Sequence, residues 1–168
     1  LQRRVPIQLG GLQDPFSPID EQRGVTLRLL KTLRDFKYPT LISTKGSLFL
    51  DDDYWKVLAD MNVYIRLSAA GVPESRRSRV DVGSDRFEKT CEKIRVLSSA
   101  GFPVSLRIQP VFPGFEDSAL RMAKRAAEAG AKHVSFEFLK LGTEGLEQQC
   151  KSISNVLNCD IWEEMQHR

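Results

Sequence analysis

Ser105-Leu106-Arg107-Ile108-Gln109 alternates polar and apolar side chains over the length of a short strand, and it lies between two helical stretches. Tyr64, Arg66 and Ser68 alternate in the same way with Ile65, Leu67 and Ala69, and Ser135 and Glu137 with Val134, Phe136 and Phe138. Strands that alternate with helices normally form a parallel sheet buried on both faces and read as unbroken Val, Ile and Leu. Here every second side chain is polar. If helices cover the apolar face, the polar face lines an interior that holds water, charge or a ligand. Arg107 and Glu137 buried without partners would cost several kcal/mol, on the order given for desolvated ions. The polar face is therefore a candidate site.

Outward from these stretches, the chain reads as strand and helix repeated five times. Strands are expected at 5–10, 40–44, 62–69, 103–111 and 132–139. Ser17-Pro18 offers an N-cap with proline at the first helical position, followed by a helix carrying Val25, Leu29, Leu33 and Phe36. Further helices are expected at 51–61, 84–100 and 116–129, and from 144 onward, with 70–83 a loop carrying Arg76, Arg77 and Arg79. Alternation of this kind gives an α/β fold with parallel strands and right-handed crossovers. An open doubly wound sheet would cover both faces with helices, so the polar second face favours a partial (β/α) barrel. The expected layout is a barrel core over 1–142 and a helical extension over 143–168.

With 168 residues, 41% hydrophobic and 28% charged, the chain has the composition of an ordinary globular domain. A net charge of +3 permits contact with phosphates without announcing a nucleic-acid binder. No apolar run approaches the ~20 residues that span a bilayer, so no membrane role is expected. Cys91, Cys150 and Cys159 are odd in number and far apart, which fits neither a disulfide framework nor a zinc site and points to a reducing, cytoplasmic setting. The chain opens at Leu1 almost directly on a strand, which reads as part of a longer parent protein.

In such folds ligands bind at the carboxyl ends of the strands. Those ends carry Gly10-Gly11-Leu12-Gln13-Asp14, Ser43-Thr44-Lys45, Ser68, Arg107-Ile108-Gln109-Pro110 and Glu137-Phe138-Leu139-Lys140. Both charge signs are present, which suits a zwitterion bearing carboxylate and ammonium. A histidine, a nucleophile–base pair and a phosphate-cradling glycine loop with lysine are missing from the set. His133 precedes a strand and His167 is near the end of the chain, neither well placed for catalysis. Read singly, Gly10-Gly11 is a turn, Lys45 a solvated charge, Asp51–Asp53 helix N-terminal electrostatics, the three arginines a solvated loop, and Phe136 and Phe138 helix-facing core.

The order Gly-Gly-Leu-Gln-Asp-Pro-Phe (10–16), Ile-Ser-Thr-Lys (42–45), a strand ending in Ser68, and Arg-Ile-Gln-Pro-Val-Phe-Pro-Gly (107–114) resembles the radical S-adenosylmethionine superfamily. Within it the chain is most similar to the spore photoproduct lyase-like branch, over residues 5–141. The resemblance implies a partial barrel with one strand more than is read here. It also implies a 4Fe–4S cluster at which S-adenosylmethionine is cleaved reductively to a 5′-deoxyadenosyl radical that abstracts hydrogen from a substrate. Gly10 and Gly11 would offer backbone carbonyls to the methionine ammonium, assisted by Asp14, and Lys45 would pair with the carboxylate. Ser68 would lie near the methionine or ribose, and Ile108 and Pro110 against the adenine. Arg107 and Glu137 become the catalytic candidates that face the substrate. A reductase or flavodoxin-type electron donor is the implied partner.

The family's CxxxCxxC cluster loop has no counterpart here. In the family it precedes the glycine motif, so the first strand of this chain corresponds to the family's second. The cluster is accordingly expected in the parent protein and not on this chain, which alone is expected to be inactive. The alternative reading is a cluster-free barrel that binds a nucleotide or nucleic acid through Arg76, Arg77 and Arg79. A barrel enzyme acting on a phosphorylated metabolite ranks last for want of an acid–base pair.

Overall fold

The computed structural model describes residues 4–166. Five strands form one sheet: β1 (Ile7–Leu9), β2 (Thr40–Thr44), β3 (Val63–Gly71), β4 (Val104–Val111) and β5 (His133–Phe138). All neighbouring pairs are parallel, and the order across the sheet is the order along the chain. With right-handed crossovers, that order carries every connection to the same side of the sheet. A doubly wound sheet must reverse its strand order to clothe both faces, and this one does not. The architecture is a partial (β/α) barrel, as the alternating strands required.

The helices between strands are α1 (Pro18–Arg23), α2 (Val25–Asp35), α3 (Asp52–Ala59), α4 (Glu74–Val80), α5 (Phe87–Ser99) and α6 (Glu116–Glu128). Ile42, Ile65, Leu67, Leu106 and Ile108 from the sheet pack with Leu30, Leu58, Ile94, Leu97 and Met122 from the helices in one core. Ser43, Arg66, Ser68, Arg107 and Glu137 stay half-buried on the opposite face. The period-two pattern thus sorts core from concavity strand by strand.

Four local expectations are corrected. The helix after Ser17 is two helices, because Gly24 adopts φ 58, a left-handed conformation that ends α1 and starts α2. The stretch expected as a loop at 70–83 contains α4, whose sequence ESRRSRV lacks an apolar period. Asn158, also left-handed, divides the last stretch into α7 (Leu146–Leu157) and α8 (Ile161–Gln166). Finally, Phe136 and Phe138 are 43% and 58% exposed, not core. The physical reason is the course of α7 and α8. Cys150, Leu157 and Ile161 pack beyond the carboxyl ends of β3 and β4, against Ala70, Val72 and Phe112, and leave the outer face of β5 uncovered.

Candidate functional site

Register brings the polar residues into rows. Ser43 lies opposite Arg66 and Arg66 opposite Ser105; one step nearer the carboxyl ends, Ser68 lies opposite Arg107 and Arg107 opposite Ser135. Two serine–arginine–serine rows therefore floor the concave face. Alternation within each strand places Ser43, Arg66 and Ser105 on the polar face, whereas only register reveals the rows that join them. Arg66 has no hydrogen-bond or ion-pair partner among the described residues, and the hydroxyls of Ser43 and Ser105 are buried without one. Arg107 donates to Glu137, which also accepts from Lys140 at 3.0 Å. The hydrogen bond from Arg107, with help from Lys140, holds the Glu137 carboxyl below its ordinary value.

Above these rows lies a cavity of about 200 Å³ that brings together Gly10, Gly11, Asp14, Lys45, Ser68 and Arg107, with Ser43, Arg66 and Gln109 beside them. A neighbouring cavity of about 300 Å³ shares Asp14 and Lys45 and continues to Asp81 and Ser84. Six of the residues expected from the sequence thus converge, although they come from four strand ends.

Their local roles differ. Gly10 has φ 87, and a Cβ there would stand 1.8 Å from the Ser43 carbonyl oxygen, so the turn itself demands glycine. A Cβ on Gly11 would meet nothing closer than 3.8 Å, so its backbone is open to approach. Asp14 is a brace. Its Oδ1 accepts from the Phe16 amide at 3.0 Å and the Thr44 hydroxyl at 2.7 Å, and its Oδ2 from the Lys45 amide at 2.7 Å. The Lys45 ammonium pairs with Asp81 Oδ1 at 2.5 Å, while Asp81 Oδ2 is buried without a partner. Beneath the strand end, the buried Lys93 donates to the carbonyls of Lys45 and Gly46 at 2.9 and 2.8 Å and pairs with Asp85 at 2.8 Å. The hydrogen bond from Lys93 holds the Asp85 carboxyl below its usual range. Neither Asp81 nor Lys93 was legible as a site residue, since both partners lie far away in sequence.

Ile108 and Pro110 fall outside the cavity lining. The Ile108 side chain is fully buried on the helix side, as strict alternation with Arg107 compels. Pro110 follows a cis peptide bond where the pairing of β4 with β5 shifts register. The three arginines are not a solvated loop. Arg76 donates to the Leu157 carbonyl and lies 5.2 Å from the centroid of the Phe115 ring, Arg77 is buried, and Arg79 alone of the three is exposed and unpartnered among the described residues. His133 is exposed at the end of the Ser105 row, and His167 lies outside the described residues.

Among the described residues no group of histidine, cysteine and carboxylate side chains could hold a metal ion. Cys91 and Cys150 are buried in separate clusters, and Cys159 is partly buried. Burial pushes the thiols of Cys91 and Cys159 up. No helix among the described residues is long and apolar enough to cross a membrane. No known protein-family model matches the chain, and no curated protein matches it.

Proposed function

We propose that the cavity at the carboxyl ends of β1–β4 is the cofactor-binding part of a radical S-adenosylmethionine enzyme. The observation that carries this reading is the convergence of Gly10, Gly11, Asp14, Lys45, Ser68 and Arg107 on one concavity. The open backbone at Gly11 suits a donor such as an ammonium, and Lys45 suits a carboxylate. Because Lys45 and Asp14 border both cavities, an elongated ligand has room to extend from one into the other. Bound S-adenosylmethionine would supply hydrogen-abstraction chemistry, and the protein's share is binding and orientation. Lys45 exchanges Asp81 for the ligand carboxylate, Asp14 fixes the strand-end loop that presents Lys45, and the Arg107–Glu137 pair faces the substrate side.

The cysteines of this chain do not suit an iron–sulfur cluster, since Cys91 and Cys150 are buried in separate hydrophobic clusters and Cys159 is partly buried. A cluster would be held by other parts of the parent protein. The test is titration of S-adenosylmethionine into the parent protein and its Lys45→Ala variant. Loss of a charge-assisted contact should weaken binding about tenfold or more. Equal affinity in the two proteins refutes the assignment of Lys45, and no binding to either refutes the site.

A further inference from the structure

We propose a second, separate binding site for the phosphate group of a small molecule, on the helix side of the barrel between α4, α5 and α6. A cavity of about 250 Å³ there is lined by Arg77, Arg121 and Arg125 together with Glu74, Phe87 and Ser118. Arg77 carries the argument. Its side chain is only 4% exposed, yet its one carboxylate partner is Glu74, at 3.2 Å from Nε. Its Nη2 meets nothing better than the Met122 sulfur at 3.6 Å. A guanidinium has five N–H donors, and a thioether is a weak acceptor. Most of the hydrogen-bonding capacity of a buried cation therefore faces the cavity unused. Glu74 is itself divided, since the same oxygen also accepts from the Phe87 amide at 3.1 Å and the other faces Arg86 at 3.8 Å.

The second observation concerns the Phe87 ring and α6. The Arg125 guanidinium lies 5.2 Å from the centroid of the Phe87 ring, and Arg77 lies 5.5 Å from the same centroid. One aromatic ring thus fixes two like charges. Arg125 is neutralised by Glu88, but Arg121, one turn earlier on α6, has no partner among the described residues. Like charges four apart on a helix oppose each other. The gathering of Arg77, Arg121 and Arg125 around an apolar-floored cavity whose lining holds a single carboxylate, Glu74, fits a dianion that accepts from several guanidinium donors at once. A phosphate ester satisfies that demand, and Phe87 and Met122 offer its organic part an apolar bed. The small volume of the cavity and the modest net charge of +3 favour a small molecule over a nucleic-acid strand.

The site does not depend on the cofactor reading, and the experiment keeps the two apart. Pyrophosphate is titrated calorimetrically into the chain at constant ionic strength set with chloride, with Arg121→Gln, Arg77→Lys and Arg66→Gln alongside. Wild type should bind, Arg121→Gln should weaken binding about tenfold, and Arg66→Gln on the opposite face should leave it unchanged. Arg77→Lys, which keeps the charge and loses the fork, should also weaken binding with the near-UV dichroism intact. No binding by wild type, unchanged binding in Arg121→Gln, or loss in Arg66→Gln overturns the proposal. Arg121-dependent binding of a random DNA duplex more tightly than pyrophosphate overturns the assignment to a small molecule.

Discussion

Lys45 and Asp81 hold each other at 2.5 Å, so either substitution changes what the other side chain can do. Asp81→Asn should release the ammonium and tighten binding of a carboxylate-bearing ligand severalfold, the opposite sign to Lys45→Ala, as read by equilibrium titration. If both variants bind equally less, the pair serves to shape the loop. A different residue pair governs pH dependence. Asp20 is buried, and it accepts from the Tyr54 hydroxyl at 2.6 Å and the Thr26 amide at 2.8 Å. Burial alone would push the Asp20 carboxyl up, but the hydrogen bonds together outweigh it and hold the carboxyl below its ordinary value. Burial, reinforced by Asp20, pushes the Tyr54 hydroxyl far above its ordinary value. The Asp20 contribution is therefore present above the unfolded carboxylate pKa of about 3.9 and is lost as pH falls through the lower folded value. The Tyr54 contribution is present below about pH 10 and is lost as pH rises past it. Tyr54→Phe should cost about 1–3 kcal/mol in urea denaturation at neutral pH and flatten the alkaline limb of the stability profile. An unchanged alkaline limb would show that another group controls it.

At the scale of elements, Lys93 ties α5 to the loop that follows β2. Its ammonium is spent on two carbonyls and one carboxylate, all within 2.9 Å. Lys93→Met should cost roughly 3 kcal/mol, toward the low end for breaking a buried pair because Asp85 keeps some solvent. It should also raise amide exchange at Lys45 and Gly46 ahead of the core, and unaltered exchange there would deny the tie. The elements themselves were largely legible. The alternation in β3, β4 and β5 and the Ser17-Pro18 start each express a local rule. Where reading failed, the determinant was nonlocal or silent. Gly24 gave no sign that it would divide a helix, and α4 has no apolar stripe. The Asp14 brace spans from one strand end to the next, and the serine–arginine–serine rows exist only once register is set. For the site, sequence order sufficed to name Lys45 and Ser68, while Asp81 and Arg66 needed the folded chain.

For the whole molecule, helix cover is uneven. The outer face of β5 shows Phe136 and Phe138 to solvent, whereas Ile108 on the neighbouring strand is fully buried. Replacing both phenylalanines with threonine should change stability by no more than about 0.5 kcal/mol each, as at ordinary surface positions. Ile108→Ala should cost about 2–5 kcal/mol. Equilibrium denaturation of the two proteins makes the comparison. A large loss in the threonine variant would mean that this face is covered in solution.

Strand order equal to chain order also makes position along the polypeptide a map of position across the sheet. Each strand pairs with its sequence neighbours alone, so the sheet resembles a short array whose hydrogen bonding passes from link to link. The outermost links have one neighbour each, and the first of them is only three residues long. Openings should therefore begin at the margins and travel inward, with β3 the last to exchange its amides. The cavity reaches from the β1 margin, which loosens early, across to β4, so a ligand clasped there would act as a fastener for the row.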